Sequence, residues 1–453
     1  MFQTQRSTRS LGLAAGCAAA LALPHAAPAH PSQAQQAHDP AAALPGTGKG
    51  PAAFEALLAR WDRMPAGPAR DQLALEIDAV AGQRYATVSR LFWYTDLTAA
   101  QSAARSLERP ILALRMLGRL DEDLSCANSR FFRTTLYANA EVSRFLRENF
   151  VLYWSSERPV PRVTIDYGDG RKIERTTTGN SAHYVLDAAG HVLDVLPGLY
   201  APTVFQAELT KSARLAYRVR KLGDAQRAHA IAEHHRKELE AASARLAAVA
   251  GTEYIRGRGR LLGRDEVDAP AVARAQRATM SKAIVEMPDL GKIGIDAGSI
   301  SPADLSAWAV IGQKAWGIYA AGTGGPEVAP RRRMFGRAAP AVPAAPIVLD
   351  AQSRALVTRV HDAGPVRATP AELGAMLARL EQSIVADTAL NELRLRPQIR
   401  GMLADPTIAA ASFEQINEWI YAGVFQTPRS DAWLGLLPRT DFTGLPGDGV
   451  VMP

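Results

Sequence analysis

The fold is decided by the stretch RPILALRMLGRLDEDLSCANSRFF, residues 109–132. An Arg-Pro step opens an apolar run, Ile111 to Leu114, which predicts a buried strand. A short polar segment follows, then Cys126, and then an amphipathic segment that predicts a helix. Cys126 is therefore expected at a helix N-terminus, where the helix dipole and unpaired backbone N–H groups favour a thiolate.

The N-terminus has the pattern of a secretory signal peptide. Arg6 and Arg9 precede an apolar run from Leu11 to Leu23, and Ala27-Pro28-Ala29 supplies the small residues of a cleavage site. The run is too short for a transmembrane helix, and no later segment is long and apolar enough to be one. We therefore expect a periplasmic or secreted protein, with lipid anchoring through Cys17 as the alternative.

Cysteine usage limits the chemistry further. Cleavage of the signal would remove Cys17 and leave Cys126 as the only thiol, so that no internal disulfide can form. Structural cysteines of exported proteins normally come in pairs. The lone thiol is then either a buried, inert group or a group that pairs transiently with another molecule.

Charge and motifs argue against several classes of function. Removal of Arg6 and Arg9 lowers the formal charge from +7 to +5. The two basic clusters, Arg331 to Arg333 and Arg256 to Arg264, have no interleaved aromatic residues, so we expect no nucleic-acid partner. The sequence has no phosphate-binding loop, zinc-type cysteine cluster or dinucleotide fingerprint, so no cofactor or metal is predicted.

Composition and periodicity divide the chain into consecutive segments. They are a signal peptide (1–29), a flexible tether (30–50), N-terminal helices (near 52–63 and 69–88, within 51–88), an α/β domain (89–220) and a mainly α-helical C-terminal domain (224–453). The α/β domain has two hairpin signals, one around Gly168-Asp169-Gly170 in an insertion at 160–177 and one around Asp187 to Gly190.

Local signals predict details of the helical domain. Asp224 to Val249 is expected to be one long helix, with the adjacent His234 and His235 on its solvated face, and 322–346 has the composition of a linker. Trp433 is expected to be buried against the helices. Helix starts are predicted from capping patterns at Ser301, Thr369 and Ser412.

Residues 89–210 resemble the thioredoxin superfamily, most closely its exported bacterial branch. The matching residues occur in the family's order: Trp93, Ala99-Ala100, Ala103-Ala104, Arg109-Pro110, Ile111 to Leu114, Cys126, Val142, Asn149-Phe150-Val151, Gly179 to Gly190 and Leu196-Pro197-Gly198. The resemblance implies a central mixed sheet flanked by helices, with Cys126 as the first cysteine of the family's C-x-x-C motif.

The chain departs from that pattern at two positions that matter for chemistry. Ser129 replaces the second cysteine, whose thiolate resolves the mixed disulfide in the family, so release from Cys126 would need an external thiol. The family's cis-proline, which faces the cysteine pair, falls at Ser181. A non-proline residue is rarely cis there, because that bond costs about 3 kcal/mol.

Neighbouring side chains leave alternatives open. Arg130 and Arg133 can stabilise a thiolate at Cys126, or they can be solvated while Asp123 or Ser125 simply caps the helix. Asn128 or Ser129 can hydrogen-bond to the sulfur.

His183 lies near Ser181 in sequence. It can act as the base of a Cys–His pair with Cys126, or it can be a structural strand histidine.

Two functional hypotheses follow. In the first, Cys126 is the nucleophile of a single-thiol disulfide-exchange or isomerase-type protein, Ser129 and Arg130 tune it, and Ser181 shapes the peptide-binding loop. Its partners would be protein or small-molecule thiols and disulfides. In the second, the chain is a non-catalytic thioredoxin-fold scaffold or binding module of the cell envelope, and the helical domain engages a partner. The fold analogy carries most of both hypotheses.

Overall fold

A computed structural model describes residues 50–261, 279–292, 310–312, 348–365, 367–437 and 444–452. All of them belong to one compact unit of the chain, Gly48–Pro453. The predicted signal peptide, nearly all of the predicted tether, the segment 322–346 and the helix start at Ser301 lie outside the described residues.

The described chain begins with helices, which are α1 (Pro51–Arg63), α2 (Pro68–Ala81), α3 (Ala86–Ser89) and α4 (Leu97–Leu107). Helices α1 and α2 each start with a proline, whose fixed φ suits the first helical turn, and they pack through a small apolar core of their own. The second predicted helix, near 69–88, ends early, because Gly82 adopts a left-handed conformation with φ of 68°.

A mixed four-stranded sheet forms the centre. Its strands are β1 (Ile111–Leu117), β2 (Val151–Arg158), β5 (Ala182–Leu186) and β6 (Val192–Pro197), in the spatial order β2-β1-β5-β6. Strands β1 and β2 are parallel, whereas β5 is antiparallel to both β1 and β6. Every residue of β1 is buried, because helices cover the sheet. The predicted mixed sheet with flanking helices is therefore present.

Two hairpins occur where turn signals predicted them. β3 (Arg162–Asp166) and β4 (Lys172–Thr176) pair in a separate two-stranded sheet around Gly168 and Gly170, both of which have positive φ. The second hairpin joins β5 to β6 through the turn at Asp187 to Gly190. Local turn chemistry was sufficient to locate both.

Helices and short π-helical turns make up the remainder. Two π-helical turns within the helical region cover Asn391–Leu395 and Ile420–Val424. A third covers Phe132–Leu136, in the segment between β1 and β2. The helices are α5 (Ala127–Phe131), α6 (Ala140–Asn149), α7 (Pro202–Val219), α8 (Asp224–Leu261), α9 (Met280–Lys292), α10 (Ala351–His361), α11 (Pro370–Leu390), α12 (Arg396–Leu403), α13 (Pro406–Ala409) and α14 (Phe413–Trp419).

Most local predictions for the helical region agree with the structure. The long helix from Asp224 extends to Leu261, beyond the predicted Val249. Capping boxes are present at Thr369 and Ser412, each closed by the side chain three residues later. The prediction for Trp433 was wrong: it is 39% exposed, and the next residue, Leu434, is buried in its place.

The sheet and the C-terminal helices share one hydrophobic core. Tyr184 of β5 packs edge-on against Phe413 of α14, with ring centroids 5.0 Å apart. Leu395 and Ile399 belong to the same buried cluster as the β1 residues. Among the described residues, no helix is long and apolar enough to span a membrane.

Candidate functional site

Cys126 lies at the N-cap of the short helix α5, just after the loop that follows β1. Its backbone N–H donates to the carbonyl O of Leu117 at 3.2 Å, which ties the start of α5 to the end of β1. The side chain is a free thiol with 0% exposure. The predicted strand, loop, cysteine and helix are all present, but the thiol faces the interior.

The cysteine sulfur is surrounded by hydroxyl groups. Sγ lies 3.1 Å from Ser181 Oγ and 3.5 Å from Ser129 Oγ. Ser129 Oγ is in turn 2.6 Å from Ser125 Oγ. We call Cys126, Ser125, Ser129 and Ser181 the thiol site. The structure thus brings together three of the residues singled out in the sequence, including the expected juxtaposition of Cys126 and Ser181.

Arg130, the fourth predicted site residue, lies near the sulfur without binding it. Burial lowers the pKa of Arg130, and the nearby charge of Glu286 partly offsets this. Within the described residues, no hydrogen bond or ion pair joins Arg130 to the Cys126 sulfur. Its proposed tuning of the thiol is therefore limited to charge at a distance.

Arg133 holds the loop before the cysteine, and neither alternative considered from the sequence describes it. Its guanidinium donates to the carbonyl oxygens of Leu120 (2.8 Å), Glu122 and Asp123 (3.4 Å), and to Ser125 Oγ (3.2 Å). Burial lowers its pKa to about 10. Arg133 lies in the π-helical turn after α5, and its local sequence gave no signal for this role.

His183 is bound by a tyrosine. Its Nε2 lies 2.6 Å from Tyr137 Oη, and its ring packs against Phe132 and Phe205 at centroid distances of 4.7 and 4.9 Å. Burial lowers the pKa of His183 to about 3, so the ring is neutral. No hydrogen bond joins His183 to Cys126 within the described residues, and the geometry fits the structural alternative.

Helix α9 packs against α5 and against the turn before Ser181, an arrangement that the sequence did not predict. Lys282 Nζ donates to the carbonyl O of Gly179 at 3.0 Å and to Asn180 Oδ1 at 3.2 Å. Glu286 Oε2 accepts the backbone N–H of Thr178 at 2.7 Å. Both side chains are buried. The residues just before Ser181 are thereby fastened to the C-terminal half of the chain.

Asp387 of α11 caps the N-terminus of α9. Its carboxylate accepts the backbone N–H groups of Met280 and Ser281, the latter at 3.2 Å, and the Ser281 hydroxyl. Burial raises the pKa of Asp387 to about 7, although these hydrogen bonds favour the ionised form. Helix α9 is therefore anchored at its N-terminus by a buried carboxylate.

A second buried polar group, the Arg396 cluster, consists of Arg396, Arg400, Asp194, Glu208 and Glu392. Arg396 contacts Asp194, Glu208 and Glu392 at 2.7, 2.8 and 3.0 Å. Arg400 lies 3.0 Å from Glu208. Burial opposes ionisation of Asp194, but Arg396, His235 and Arg400 together lower its pKa well below the usual range. The cluster joins α7 and β6 to α12.

His235 was predicted on a solvated face, and this was wrong. It is 0% exposed, and its Nε2 lies 2.9 Å from the carbonyl O of Leu193. Burial lowers its pKa to about 4. Helix α8 packs against α12 and α13, so this face of α8 is interior.

A surface groove of about 540 Å³ lies at the C-terminal ends of α4, α6 and α7. Arg105, Arg109, Lys221 and the 66% exposed Tyr217 are among its lining residues. Helix C-termini carry a negative partial charge, so the fold itself accounts for cations at this place.

Within the described part of the chain, no group of three or more His, Cys, Asp or Glu side chains is arranged to hold a metal ion. Comparison with protein-family models, with curated proteins and with solved structures found no match to this chain.

Proposed function

We propose that this chain is an exported, thioredoxin-like protein that serves as a non-catalytic binding module of the cell envelope. The mixed sheet supports this proposal, as does the place of Cys126 between β1 and α5. Ser181 directly precedes β5 and contacts the sulfur, where the resemblance implies the family's cis-proline.

The burial of Cys126 is the observation that carries the non-catalytic part of the proposal. Thiol–disulfide exchange requires the thiolate to approach a disulfide sulfur directly, so access controls its rate. Here the thiol has no exposed surface, and α9 packs against α5 and the turn before Ser181. Because Ser129 stands at the second position of the motif, the motif itself has no second thiol to release a bound partner.

Single-thiol disulfide exchange is the second candidate, and one contact favours it. Ser181 Oγ lies 3.1 Å from Sγ, so a hydroxyl is in place to donate a hydrogen bond to a thiolate at Cys126. Cys126 also stands at the start of a helix. This activity would require α9 to move away from the thiol site first.

Reaction with oxidised glutathione tests the proposal. We expect the native protein to remain unmodified by intact-mass spectrometry, while the urea-denatured protein forms the mixed disulfide at Cys126. A Cys126→Ser variant identifies any signal from other groups. Formation of the adduct on the native protein as fast as on the denatured protein would overturn the non-catalytic assignment in favour of disulfide exchange.

A further inference from the structure

The contacts of α9 converge on the few residues that precede Ser181. Lys282 binds the carbonyl O of Gly179 and the side chain of Asn180, and Glu286 binds the N–H of Thr178. Lys282 and Glu286 are one helical turn apart, so they project from the same face of α9. Their side chains are 0% and 1% exposed. Helix α9 thus binds the turn at Thr178–Ser181 through two side chains.

The turn that α9 binds, Thr178–Ser181, has an unfavourable backbone conformation. Thr178 has a φ of 58°, and Gly179 has a φ of 95°. Positive φ is a genuine outlier for a β-branched residue such as threonine, and it persists only where the surrounding structure holds it. The bonds from Lys282 and Glu286 fall on Thr178 and its neighbours.

The turn also fits tightly against the strand that leads to the cysteine. A Cβ added at Gly179 would lie 2.7 Å from Leu117 Cδ2. On the other side of the turn, Thr176 Oγ1 donates to the carbonyl O of Ser125 at 2.9 Å. A change in the backbone conformation of the turn would therefore shift the loop before Cys126 and also Ser181.

We propose that Lys282 and Glu286 form a latch, which holds the strained turn Thr178–Ser181 against Cys126 and keeps the thiol closed. When the latch opens, Thr178 relaxes to a negative φ and Ser181 withdraws from Sγ. The thiol then becomes reachable from the face that α9 covers. The latch goes beyond the proposed function, because it makes the reactivity of Cys126 depend on the docking of α9.

The rate at which iodoacetamide alkylates Cys126 in the native full-length protein reports how often the latch opens. We expect Lys282→Met and Glu286→Met each to raise the rate by roughly 10- to 100-fold, since each removes a buried hydrogen bond to a charged group. Ile284→Ala is the matched control on the same helix: Ile284 is 39% exposed, and its rate should equal that of the wild type. The denatured protein gives the upper limit.

Urea distinguishes opening of the latch from unfolding of the whole protein. Local opening exposes little surface, so its rate should hardly change in dilute urea, whereas global unfolding accelerates steeply. If Lys282→Met does not fold, Glu286→Met decides, because methionine is close to glutamate in length and lacks the acceptor.

Wild-type rates in both folded variants, or a gain that rises steeply with urea, would overturn the latch. A native wild type that reacts as fast as the denatured chain would overturn the proposed function as well. A protected wild type with unchanged variants would overturn the latch alone.

Discussion

The Arg396 cluster and the thiol site are both buried and polar, but their polar groups are satisfied in different ways. In the Arg396 cluster, Arg396 faces three carboxylates within 3.0 Å. The thiol site itself consists of a thiol and three hydroxyl groups, with charged side chains such as Arg133 and Lys282 buried nearby. There, both amide atoms of Asn128 and the hydroxyls of Thr177 and Thr178 have no hydrogen-bond partner in the described structure. The cluster also has unpartnered atoms, namely Arg396 Nε, Arg400 Nε and Arg400 Nη1, but both guanidiniums are paired with carboxylates through other nitrogens. The cluster therefore has the features of a lock between helices, whereas whole polar groups near the thiol site are without partners, as often occurs at functional regions.

Removal of Arg396 should give the largest effect. Arg396→Met leaves Asp194, Glu208 and Glu392 buried with one guanidinium fewer, and breaking a buried ion pair in this way costs about 3–5 kcal/mol of unfolding free energy. Urea denaturation measures the loss. Arg354→Met is the control: the Arg354–Glu381 pair is partly exposed, and its loss should cost less than about 1 kcal/mol. Equally small losses of unfolding free energy in both variants would show that the Arg396 cluster does not hold these helices together.

Near the thiol site, protonation of His183 should lower the unfolding free energy at acidic pH. Burial lowers its pKa from 6.5 to about 3 in the folded protein, so folding favours the neutral ring. The resulting stability is complete above pH 6.5 and is lost as the pH falls from 6.5 towards 3, by at most about 1.4 kcal/mol per pH unit. His183→Gln keeps an acceptor for Tyr137 and removes the titration. Its unfolding free energy should fall less steeply than that of the wild type between pH 6.5 and 4.5, and parallel curves would contradict this.

Asp387 should respond to pH in the opposite direction from Asp194. Burial raises the folded pKa of Asp387 from 3.8 to about 7, so its contribution to stability declines as the pH rises from about 4 to 7. For Asp194, whose folded pKa is lowered, stability is present above pH 3.8 and is lost on acidification. The difference in unfolding free energy, Asp387→Asn minus wild type, should therefore rise between pH 4 and pH 7. A constant difference would mean that Asp387 does not titrate in this window.

Replacement of Asn128 should have the smallest effect. Both polar atoms of its amide lack partners in the described structure, so Asn128→Leu should leave stability within about 1 kcal/mol of the wild type or raise it. Asn417→Leu is the control, since Asn417 bonds Tyr184 at 2.9 Å and Glu157 at 2.8 Å. That variant should lose about 1–3 kcal/mol. A large loss for Asn128→Leu would remove the contrast between the two buried regions.

Sequence reasoning succeeded where the signal was local. The turns at Gly168 and Asp187 and the capping boxes at Thr369 and Ser412 are specified by residues within a few positions, so they could be predicted. The structure places Cys126 and Ser181, 55 residues apart, in contact, and periodicity alone contains no signal for such a contact.

The failures concern contacts between distant segments. Lys282 and Glu286 stand at a spacing that is equally typical of an ion pair on an exposed helix, and their partners lie about a hundred residues earlier. His235 also stands on a helix whose sequence fits an exposed face equally well, so its burial was not predicted. Burial of such residues depends on which helix packs against them, and nothing in the local pattern encodes that choice.

The position of α9 in the chain has a consequence for biosynthesis. The strands, α5 and Ser181 are all made before residues 280–292, and N-terminal parts of a chain generally fold first during synthesis. Cys126 is therefore made before the helix that we propose to hold it closed, so the latch can act only once synthesis has passed residue 292.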